Sequence, residues 1–144
     1  MTKPTPKRLL ITGSRMWSNW DVIFHALAAE WVSYPPGSIT LVSGNCPPRR
    51  DNKNTPGADY ICEWYWENWG GPVERYPASW KVNGVVSKAA GFERNTFMTG
   101  LPGVYKCLAF QLDGSGGTQH CMDEARDRDV PVNIYRLESL NYGA

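Results

Sequence analysis

At 144 residues, 42% of them hydrophobic, the chain is long and apolar enough to bury one core without metal or disulfide staples, so a single domain is expected. Fifteen Lys and Arg against fourteen Asp and Glu leave a formal net charge of +1, which removes the global basic footprint of long-duplex or membrane-surface binding. No run of about 18 apolar residues occurs, so a membrane span is excluded, and the short apolar run after the basic N-terminus does not make a secretion signal.

In chain order, residues 1–7 are expected to form a flexible arm. Residues 8–12 (RLLIT) then form a continuous apolar run ended by Gly13, the pattern of a strand buried on both faces. Ser18, with Asp21 three residues on, predicts an N-cap for a helix whose apolar positions Ile23, Ala26, Leu27, Trp31 and Tyr34 recur until Pro35, Pro36 and Gly37. Residues 39–43 (ITLVS) are the second strand. Residues 45–56 (NCPPRRDNKNTP) carry almost nothing apolar and predict a long surface loop, in which Arg49, Arg50 and Lys53 are either solvated or part of a lid. A second helix follows, with Ala58, Ile61, Cys62, Tyr65 and Trp69 on its buried face and Trp64 and Trp66 left partly exposed; exposed tryptophans suggest a partner surface, here a homodimer or higher homo-oligomer. Residues 73–76 are a third strand, 77–91 are irregular, 92–99 a short helix, 105–112 a fourth strand, 118–129 a helix and 131–135 a fifth strand. The four cysteines (Cys46, Cys62, Cys107, Cys121) form no CxxC pair, which points to reduced thiols in a cytoplasmic protein without zinc.

Strands separated by helices imply right-handed crossovers, hence an α/β, Rossmann-like three-layer sandwich on a mostly parallel five-stranded sheet, for which the doubly wound order 3-2-1-4-5 is expected. In that order the first and fourth strands are neighbours at the switch point, where such sheets bind ligands beyond the strands' carboxyl ends. The two loops meeting there are GSRMW (13–17) and DGSGGT (113–118). Glycines between a strand and a helix let a ligand approach the backbone, and the amides and dipole of the helix start favour an anion such as phosphate. Thr118 is expected to cap that helix and donate to the ligand, and Arg15 to supply a bidentate cation. Candidate ligand-binding residues are therefore Gly13, Ser14, Arg15 and Trp17 on one loop and Asp113, Gly114, Ser115, Gly116, Gly117 and Thr118 on the other. Gly44 and Asn45 join them after the second strand, and Lys88, Arg94 and Asn95 from KAAGFERN (88–95) if that connection folds over the crevice. Trp17 and Trp80 are each either a stacking platform or core. His120 is a candidate general base or ligand donor; His25, on the polar side of the first helix, carries no role. The spacing is neither GxGxxG nor GxxxxGK[ST].

TGSRMW, Ser43-Gly44 followed by Gly57-Ala58-Asp59, then PASW, KAAGFERN and GSGGTQHC, in that order over residues 9–132, together resemble the SLOG superfamily, and within it the small YspA-type members of bacteria and phages. The resemblance implies a Rossmann-like domain that binds nucleotides or nucleotide-derived signals; no cofactor or metal is expected, the cysteine spacing speaking against zinc. The superfamily includes the LOG phosphoribohydrolases, whose PGGxGTxxE motif aligns with residues 113–121. Asp113 stands at the proline, Ser115 at a glycine and Cys121 at the catalytic glutamate, while Arg94 resembles their upstream arginine. Without that carboxylate, binding or sequestering is expected over hydrolysis of a nucleoside monophosphate, for which Arg94 and His120 would be the catalytic candidates. DprA-like single-stranded DNA binding, the third alternative, lacks a basic aromatic groove. Asp113 can hydrogen-bond a ribose hydroxyl or pair with Arg15 or Arg94.

Overall fold

The structure, a computed structural model, describes residues 4–46, 55–78, 81–82, 85–86 and 89–137. Five strands, β1 (Lys7–Gly13), β2 (Ile39–Ser43), β3 (Val73–Arg75), β6 (Val104–Leu112) and β7 (Val132–Leu137), form one sheet in the order β3-β2-β1-β6-β7, every pair parallel. This is the predicted 3-2-1-4-5 order. A short antiparallel pair, β4 (Lys81–Val82) and β5 (Val85–Val86), occupies part of the stretch expected to be irregular. Among the described residues there are four helices: α1 (Trp20–Val32), α2 (Ala58–Asn68), α3 (Ala89–Thr99) and α4 (Gly116–Asp127).

The two-sided burial read from RLLIT is visible in which neighbours each residue joins. Leu9, Ile11, Leu41, Leu108 and Phe110 face one core with Ile23 and Leu27 of α1 and Ile61 and Trp66 of α2. Their alternates Leu10, Val42 and Cys107 face a second core with Met98 of α3 and Cys121 and Ala125 of α4. Successive side chains point to opposite faces, so strands buried on both need apolar residues in unbroken runs.

Three expectations need correction. The N-cap of α1 is Asn19, whose Oδ1 accepts from the Val22 amide at 3.1 Å, and Ser18 lies one residue outside. α3 begins at Ala89 rather than 92, which brings Gly91 into its first turn. Trp66 is fully buried, its Nε1 donating to the Ile39 carbonyl at 3.1 Å, while Trp64 stays exposed with Tyr60 and Phe24. Among the described residues no helix is long and apolar enough to cross a membrane.

Candidate functional site

β1 and β6 lie side by side to their ends, with Gly13 opposite Phe110. The chain leaves β1 through a turn tied to its surroundings: the Ser14 amide donates to the Phe110 carbonyl at 2.9 Å, and the Ser14 carbonyl accepts from the Ala58 amide at 3.0 Å. α2 therefore starts against the β1 loop. A Cβ on Gly13 would lie 2.4 Å from the Ala58 Cβ and 2.8 Å from the Phe110 carbonyl oxygen, so only glycine permits this approach.

From β6 the chain reverses through Asp113 (φ 50°) and Gly114 (φ 67°) into α4. The N-cap is Ser115, not Thr118; Thr118 is buried inside the first turn and its hydroxyl accepts from Ser115 Oγ at 2.7 Å. Gln119 is the first residue whose amide bonds back into the helix, to the Ser115 carbonyl at 3.1 Å. The amides of Gly116, Gly117 and Thr118 precede it, the groups that a helix start presents to an anion. A Cβ on Gly116 or Gly117 would meet nothing within 4 Å.

Between these loops, β2's end and α3 lies a cavity of about 500 Å³. Of the predicted residues, Gly13, Ser14, Arg15, Gly44, Arg94, Asn95, Asp113, Ser115, Gly117 and Thr118 line it. Gly114 borders a separate depression with Gln111, Arg136 and Leu137, and Gly116 and Asn45 stand beside the cavity rather than on its wall. Trp17 is a correction: it is fully buried, edge-on to Phe110 at 5.6 Å with Nε1 donating to the Asn19 carbonyl at 2.7 Å, and offers no face to a ligand. Lys88, Trp80, Arg49, Arg50 and Lys53 lie outside the described residues.

Arg94 and Asn95 line the cavity but spend their polar atoms on the protein. Arg94 Nη1 donates to the carbonyls of Gly44 at 2.6 Å and Tyr76 at 3.3 Å, and its Nη2 reaches Cys46 Sγ at 3.5 Å. Asn95 accepts from Arg94 Nε at 3.1 Å and donates to the Gly117 carbonyl at 3.3 Å. The pair thus clamps the ends of β2 and β3 and the first turn of α4 around the cavity. His120 stands outside the wall, with Nδ1 3.3 Å from Asn95 Nδ2 and Nε2 3.4 Å from Glu124 Oε1. Cys121, at the position of the hydrolases' glutamate, is buried in the core with Cys107.

The sequence reading left out Asp59 and Phe92, both on the cavity wall. Asp59 was quoted only as part of a motif; its position in the first turn of α2, beside the β1 loop, depends on the tertiary contact at Ser14. Its carboxylate is buried and accepts from the Cys46 amide at 3.0 Å. Burial pushes it from 3.8 to about 6, against the opposing pull of the Cys46 amide and of the Arg94 guanidinium. Burial, followed by the nearby Asp59 charge, pushes the Cys46 thiol up to about 11, so Cys46 is no nucleophile at neutral pH.

The folded pKa of Asp59 lies above the unfolded value, so the stability linked to its protonation is present below the unfolded value and lost as pH rises through about 6. Asp59→Asn keeps an acceptor for the Cys46 amide without the charge. Between pH 5 and pH 8, urea denaturation is expected to show wild type losing on the order of 1 kcal/mol more than the variant. Parallel pH profiles would contradict the burial of an ionised Asp59.

A five-stranded, all-parallel sheet in this order, opened at its switch point by a cavity between glycine turns, places the chain in the Rossmann-like class of α/β proteins. The chain is 37% identical over 131 residues to the Gene 61 protein of Mycobacterium phage D29, across 88% of this chain and 94% of that protein. It belongs to the family of that phage protein. No family model and no solved structure matches it.

Proposed function

We propose that the cavity binds a nucleotide or nucleotide-derived small molecule and that the protein is a sensor or sequestering module of the YspA-type SLOG kind. The carrying observation is that Arg15, on the β1 loop, and Gly117, in the first turn of α4, line the same cavity. An arginine and a helix start on the walls of one cavity can cradle a phosphate, each charge-assisted bond contributing about 1.5–3 kcal/mol. Arg94 holds the walls in place, and the carboxylates of Asp59 and Asp113 supply acceptors for hydroxyl or amino groups.

Binding without turnover is favoured because Cys121 is buried away from the cavity. The observation favouring turnover is Asp59, a cavity carboxylate that titrates near neutrality, as general acids and bases do. Native mass spectrometry of the purified protein, then a thermal-shift screen of mononucleotides, cyclic nucleotides and ADP-ribose derivatives, separates the two. An intact bound nucleotide supports binding; free base or ribose phosphate released on incubation supports turnover. Arg15→Ala is expected to weaken a phosphate-bearing ligand about 10- to 100-fold in isothermal titration. No thermal shift with any compound in the screen would overturn the proposal.

A further inference from the structure

We infer that Phe92 is the platform on which a planar ring of the ligand stacks, so that the cavity selects a base-bearing nucleotide over a bare sugar phosphate; this rests on the nucleotide reading above. α3 carries two exposed phenylalanines with different surroundings. Phe97, 58% exposed, leans on Tyr76 at 5.5 Å and is not on the cavity wall. Phe92, 45% exposed, lines the cavity and is the one aromatic ring among the described residues that do so.

The ring has a packing partner off the cavity wall. His120 packs against Phe92 with centroids 4.3 Å apart and planes 33° from parallel. The imidazole is itself held at both nitrogens. Arg94 Nε donates to Asn95 Oδ1 and Asn95 Nδ2 donates to the Gly117 carbonyl, which fixes the amide with its NH2 towards His120. That amide lies 3.3 Å from His120 Nδ1, and Glu124 Oε1 lies 3.4 Å from Nε2, so each ring nitrogen has a neighbour that holds the imidazole in place. One buried amide therefore positions both the imidazole packed on Phe92 and the turn of α4 that carries Gly117. The platform and the anion cradle are set relative to each other before any ligand arrives, which lowers the ordering cost of binding. Met16 and Met98 extend the apolar side of the wall with soft, adaptable thioethers.

Isothermal titration of the full chain with AMP, CMP and ribose 5-phosphate tests the assignment. Wild type is expected to bind both nucleotides about 10- to 100-fold more tightly than ribose 5-phosphate. Phe92→Ala should bring the nucleotides down to the sugar phosphate's affinity and leave the latter unchanged, and Phe92→Trp should restore the difference. Phe92 is exposed, so thermal melts of both variants should stay close to wild type. Equal binding of AMP and ribose 5-phosphate by wild type, an unchanged preference in Phe92→Ala, or a parallel loss of all three ligands would overturn the stacking role while the anion site stands. If wild type binds none of the three, the same comparison is made with whichever nucleotide the thermal-shift screen returns and its base-free analogue; if the screen returns none, the nucleotide reading falls and the platform with it.

Discussion

Valine in place of Gly117 is expected to weaken nucleotide binding more than about 100-fold and to leave the fold intact. A Cβ at this position meets nothing within 4 Å, so the branch point of a larger side chain is uncrowded. Glycine and valine differ by a few tenths of a kcal/mol in helix propensity, and the melting temperature should stay within about 2 °C. Gly117 lines the cavity, and on the proposed reading the added methyl groups would stand between a phosphate and the amides of the α4 first turn. Gly116, equally uncrowded but off the cavity wall, is the control: valine there should cost far less affinity. Titration of both variants decides the matter, and wild-type affinity in Gly117→Val would remove the anion site from this loop.

The largest loss of stability is expected from Trp66→Ala, about 3–5 kcal/mol in chemical denaturation. Trp66 is 0% exposed, packs edge-on to Trp31 at 5.0 Å and gives its indole proton to the Ile39 carbonyl. Truncation leaves a cavity and an unpartnered carbonyl at the first residue of β2, the strand that runs on to Gly44 at the site. Trp64, two residues away and 44% exposed, should cost less than about 1 kcal/mol when cut to alanine. Equal losses at the two positions would contradict the orientation of α2.

This pair also shows where the sequence stops being legible. Helical spacing marked Ile61 and Cys62, and both are buried. It placed Tyr65 and Trp69 inward and Trp66 outward, wrongly for Trp66, because ICEWYWENW offers apolar rings all around that part of the helix and periodicity needs contrast. The small rotation that puts Trp66 inward is set by Trp31 of α1 and the β2 carbonyl, both distant in sequence. Trp17 failed similarly: its loop position was correct, but the indole turns into the core against Phe110.

The sequence by itself determined the sheet. Unbroken apolar runs demand burial on both faces, the helices between them demand parallel crossovers, and the glycines mark where β1 and β6 end. Those signals are local and repeated, so a parallel crossover sheet follows from them, and the doubly wound order expected for such a sheet is the one observed. Only the tertiary structure decided the cavity wall: that Asp59 enters it, that Phe92 faces it, and that Arg94 and Asn95 brace it. These placements depend on contacts between residues far apart in the chain, Ala58 with Ser14, Arg94 with Gly44 and Asn95 with Gly117, and no local pattern encodes the direction of a side chain across such a distance.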